Sequence, residues 1–84
     1  MAGRITGTIT KLRLDKDIAG RGICIQMNPV LPEGQGWACV WKDSPLCQET
    51  TNLLVTLYTG NKQCTIVWDS LRGGHIEIDI AESP

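Results

Sequence analysis

Arg4-Ile5-Thr6-Gly7-Thr8-Ile9-Thr10-Lys11-Leu12-Arg13-Leu14 decides how the rest of this chain folds. Ile5, Gly7 and Ile9 share one parity of an extended segment, whereas Leu12 and Leu14 share the other. A regular pleat would turn one set toward water. An extra residue near Thr10–Lys11 brings both sets to the same side, so the stretch predicts one long strand with a β-bulge or sharp bend. A strand that bends midway serves two parts of a curled sheet and needs partners on both sides. Asp15-Lys16-Asp17-Ile18-Ala19-Gly20-Arg21-Gly22 is polar and glycine-bearing, as a hairpin connection requires. Ile23, Ile25 and Met27 then alternate with Cys24, Gln26 and Asn28 in a second strand.

Two prolines and two glycines between Asn28 and Gly36 exclude a central strand and mark a loop. Trp37, Cys39 and Trp41 alternate with Ala38, Val40 and Lys42 in a third strand, both of whose faces are apolar enough to be covered. The period then changes. Asp43-Ser44-Pro45 offers a helix N-cap followed by proline at the first helical position, with Glu49 near the positive end of the helix dipole. Leu46, Thr50, Leu53, Leu54, Leu57 and Tyr58 recur at helical spacing, and Gly60-Asn61-Lys62 stops the run. A helix is expected over about 45–59. Cys64, Ile66 and Trp68 form a fourth strand, and Ile76, Ile78 and Ile80 a fifth, joined by the connection Asp69–Gly74. The order is β-β-β-α-β-β.

Composition bounds what such a domain does. At 84 residues the chain has room for one core, so residues 1–84 form a single domain. Eight Lys and Arg against nine Asp and Glu leave a net charge of −1, which disfavours strong non-specific attachment to nucleic acid or to an acidic membrane. No apolar run has the length of a signal peptide or a membrane span, so no membrane insertion is expected. The expected location is the cytoplasm if the chain as written is the full product, and outside the cell if a leader has been removed. The spacing of Cys24, Cys39, Cys47 and Cys64 fits no close-paired zinc ribbon or redox motif. They read as small buried apolar residues; with a secretory context, bridges among them would be the alternative. No metal and no cofactor is expected.

The element order and the bent first strand resemble the OB-fold. This mainly β, β+α class is a five-stranded Greek-key barrel that binds oligosaccharides and oligonucleotides. The run from Glu49 to Ile66 is similar to the helix-then-strand unit of the B subunits of bacterial AB toxins. That resemblance implies ring-shaped homo-oligomers and binding of cell-surface glycans. The OB class places its ligand on strands two and three, between the first and last hairpin loops. Here those positions hold Gln26, Trp37 and Trp41 on the strands, Lys16 and Arg21 in one loop, and Arg72 with adjoining His75 in the other. Against a site stand ordinary causes: turns are polar, Asp15, Asp17 and Asp69 offset the positive charge, and tryptophan fills cores in a chain without phenylalanine. Core, subunit interface and ligand face all stay open for Trp37 and Trp41.

No catalytic set emerges. His75 has no nucleophile tied to it by spacing, Cys47 in the first helical turn has no partner base, and no glycine follows a strand and opens a helix as a phosphate loop demands. The leading expectation is a non-enzymatic, self-associating binding module for glycans or another small polar ligand. The alternatives are a single-stranded nucleic-acid or nucleotide binder on the same face, and an accessory or inhibitor protein that docks by edge-strand addition.

Overall fold

The computed structural model describes residues 2–14 and 20–84. Five strands, β1 (Gly3–Leu14), β2 (Arg21–Asn28), β3 (Ala38–Trp41), β4 (Gln63–Arg72) and β5 (His75–Glu82), carry one helix, α1 (Cys47–Thr59), between β3 and β4. They close into a barrel in the order β1-β2-β3-β5-β4. All neighbours are antiparallel except β3 and β5. The mainly β class, the element order and the barrel are those expected from the sequence.

Closure depends on β1. Gly3 to Thr8 pair with β4 and Thr8 to Leu14 with β2, and the second ladder slips between Ile9 and Lys11, leaving Thr10 as the extra residue. The slip reverses parity, so Ile9 is buried and Leu12 packs against the same core from the far side of the bulge. Leu14 departs from expectation and is 73% exposed. It lies opposite Ile23 at the barrel mouth, where it lines an open cleft rather than the sealed interior.

Ile23, Ile25 and Met27 of β2, Ala38 and Val40 of β3, Cys64, Ile66 and Trp68 of β4 and Ile76 and Ile78 of β5 fill the barrel. Ile80, predicted to join them, is 50% exposed. The register explains it: Val67 faces Ile80 but Trp68 faces Ile78, so Asp79 is a bulge that turns Ile80 outward and Ala81 inward. A second slip at Asp69 lets β4 run on to Arg72. The connection expected over Asp69–Gly74 is therefore only Gly73-Gly74. Both have positive φ, 60° and 84°, as a type I′ hairpin turn requires.

The helix starts later than predicted. Pro45 lies in the preceding turn, and the N-cap position belongs to Leu46, left-handed at φ 60° with no side-chain cap. Asp43 and Ser44 lie before that position, and the Asp43 carboxylate is engaged by Arg72. Leu46 is consequently exposed and leaves the apolar stripe, which consists of Leu54 and Leu57 with Leu53 beside them, while Tyr58 stays at the edge. The predicted stop holds. Lys62 N–H donates to the Leu57 carbonyl and Asn61 N–H to that of Tyr58, a Schellman closure. Its left-handed residue is Asn61 rather than Gly60. Cys24, Cys39 and Cys64 are buried and in no disulfide, and Cys47 is half-buried; burial pushes the Cys64 thiol up to about 11.

Candidate functional site on the outer face of β1, β2 and β3

With Ala38 and Val40 inside the barrel, alternation puts Trp37, Cys39 and Trp41 outside it. There Cys39 and Trp41 form a second apolar cluster with Cys24, and Trp37 packs at its edge. The packing reading for the two tryptophans is thus corrected in part: they pack on the outer face of β2 and β3, not in the barrel. The reason is size. The small Ala38 and Val40 fit the barrel interior, which Trp68 and the isoleucines already occupy.

Two lateral rows cross this face. Lys11 stands opposite Gln26, one position beyond the Ile25–Ala38 pair; Arg13 stands opposite Cys24, Cys24 opposite Cys39, and Cys39 opposite Glu77. Basic groups gather over both indoles. Lys11 Nζ and the Arg13 guanidinium lie 5.7 and 5.8 Å from the Trp37 ring centre. Arg21 and Arg72 lie 5.5 and 5.0 Å from that of Trp41. These are cation–π distances. Trp37 is half-buried and keeps an accessible part, whereas Trp41 is 4% exposed beneath its two arginines. The ring of Trp41 therefore holds guanidinium groups in place rather than meeting a ligand itself.

Arg72 is fixed from several sides. It makes two 2.9 Å hydrogen bonds to the Asp43 carboxylate and one of 3.2 Å to Glu77. This fork holds the Asp43 carboxyl below the usual carboxylate range. A depressed folded-state pKa contributes stability above the unfolded value that is lost as pH falls through the folded one. NMR titration of Arg72→Ala is expected to return the Asp43 midpoint upward to the ordinary range; an unchanged midpoint would refute the assignment.

Arg21 is 7% exposed, and its Nε has no hydrogen-bond partner among the described residues. Gly73 closes over it, since a Cβ there would meet Arg21 Nη2 at 3.2 Å. His75 serves the scaffold. Its Nδ1 donates to the Gly34 carbonyl at 3.0 Å, while Ile76 N–H donates to the Trp37 carbonyl at 3.1 Å. Together they tie the tight turn Gly34–Gly36 to β5 and fix the start of β3.

Of the residues singled out in the sequence, Gln26, Trp37, Trp41, Arg21 and Arg72 come together on this side, and His75 supports it from behind. Lys16 lies outside the described residues. Lys11 and Arg13 were missed. Their alternation with Leu12 marked them as outward-facing, but only pairing of β1 with β2 brings them over Trp37. No protein-family model, curated protein or solved structure matches this chain.

Proposed function

We propose that this chain is a non-enzymatic binding module of the OB type that takes a short segment of single-stranded nucleic acid across the outer face of β1, β2 and β3. One observation carries the reading: Lys11, Arg13, Arg21 and Arg72 lie 5.0–5.8 Å from the ring centres of two tryptophans on one face. Trp37 keeps an accessible ring flanked by Lys11 and Arg13, a pairing of flat ring and cations that suits a base and its phosphate, while the buried Trp41 holds Arg21 and Arg72 in place beside it. The net charge of −1 argues only against attachment anywhere on the surface. It is compatible with a local basic field.

Anisotropy titration of a labelled oligothymidylate at several salt concentrations tests it. Saturable binding is expected, with log K falling by about 0.7 per decade of salt for each phosphate contacted. Lys11→Ala and Arg13→Ala should each lower that slope by a similar step, and Trp37→Ala should cost about 1–3 kcal/mol. Binding that ignores salt, or none at all, overturns the proposal.

Self-association with glycan binding, as in the toxin B subunits that the chain resembles, is the second reading. It is favoured by the half-buried Trp37 beside Gln26, a platform for a sugar ring, and by the exposed Ile80, Val55 and Tyr58. A salt-independent change in Trp37 fluorescence across a glycan panel, together with an oligomer by light scattering, would select it.

A further inference from the structure

The first turn of α1 is left without a side-chain cap. Leu46 has none to offer, Asp43 is held by Arg72, and the Ser44 N–H donates to the Trp41 carbonyl. The first helical hydrogen bond runs from Thr50 N to Leu46 O, so the N–H groups of Cys47, Gln48 and Glu49 precede it and carry the positive end of a 13-residue helix. Beside this first turn opens a cleft of about 570 Å³, lined by Cys47, Gln48 and Thr51 of the helix and, across from them, by Leu14, Arg21, Ile23 and Lys42 among others. Two of its walls are cationic. Arg21 is more than nine-tenths buried, yet its Nε has no hydrogen-bond partner among the described residues. A buried guanidinium in that condition carries a desolvation penalty that a bound anion relieves.

We propose that this cleft binds a small organic anion. Its phosphate or carboxylate head would lie against Arg21, Lys42 and the first-turn N–H groups of α1, and its apolar body against Leu14 and Ile23. The volume falls in the range of small-molecule sites and far exceeds that of a bare oxyanion, and the lining changes from charged to apolar as such a ligand requires. Glu49, the carboxylate of the same turn, is exposed and outside the lining. The proposal does not rest on the oligonucleotide reading. Trp37, Lys11 and Arg13 have no part in it, and Arg21 alone is shared.

Cys47 supplies the readout. It lines the cleft and is the one cysteine that is not buried, so an occupant shields it from alkylation. The rate of iodoacetamide labelling at Cys47 is measured with phenyl phosphate, benzoate or neutral benzyl alcohol at up to about 10 mM, enough to saturate a millimolar site. At least one anion is expected to protect saturably, while benzyl alcohol does not; which anion protects identifies the head group. Lys42→Ala, an exposed position, should weaken protection about five-fold, the loss of one charge-assisted contact. Arg21→Met should abolish it, with far-UV circular dichroism checking that this variant folds. If it does not fold, Lys42→Ala carries the test alone. Equal protection by benzyl alcohol, no protection by either anion, or an unaltered Lys42→Ala would overturn the proposal. Failure of the oligothymidylate titration would leave it standing.

Discussion

Trp68→Ala is expected to lower the stability of the domain by about 3–5 kcal/mol, the cost of emptying a buried indole site. A domain of this size commands roughly 5–10 kcal/mol in all, so the variant should be partly unfolded at ambient temperature. Two features put the effect at the upper end. The ring is 2% exposed, and Gly3 lacks a side chain where the indole crosses it, since a Cβ there would collide with the six-membered ring. The Nε1 hydrogen also donates to Glu33 Oε2 at 2.6 Å, tying the loop before β3 to β4. Trp68→Phe keeps most of the volume but leaves that carboxylate without its donor, and should cost about 1–3 kcal/mol. Urea unfolding followed by far-UV circular dichroism separates the two variants. A loss below about 1 kcal/mol for Trp68→Ala would show that the ring does not close the barrel.

Gly7→Ala should be nearly as damaging, for a reason that concerns space rather than lost burial. Gly7 lies where β1 passes between β4 and the end of β2. An added Cβ would sit against the Asn28 carbonyl oxygen and 2.8 Å from Pro29 Cδ. Neither obstacle is the free end of a flexible side chain, so the strands themselves must separate. About 3 kcal/mol is the expected loss, the upper range for overpacking by a single methyl. Gly60→Ala is the control. Gly60 is right-handed at φ −85°, and the contacts of an added Cβ begin at 3.3 Å, so its change should stay within about 1 kcal/mol. Equal melting temperatures for the two variants would refute the steric account.

Where the fold was legible, a local pattern had a single solution. The parity conflict between Ile9 and Leu12 calls for a bulge or a sharp bend, and the structure meets it with a bulge at Thr10. Gly60-Asn61-Lys62 closes the helix because a left-handed residue is needed there. Errors arose where two local solutions competed. Asp43-Ser44-Pro45 reads as a cap, but the helix begins past it at Leu46, and the Asp43 carboxylate pairs with Arg72 at the far end of β4. Ile80 continues an inward series until a bulge at Asp79 breaks it.

Alternation, turn residues and the bulge at Thr10 are properties of neighbouring residues, and by themselves they determined five strands, one helix and their order. The tertiary structure alone decided which side of β3 faces inward, because Trp37, Cys39 and Trp41 are as apolar as Ala38 and Val40 and only barrel volume separates the two sets. It also decided the character of the candidate site. Lys11 and Arg13 come from β1, Arg21 from β2 and Arg72 from the distant β4, and a field made by charges on different strands exists only once those strands are paired.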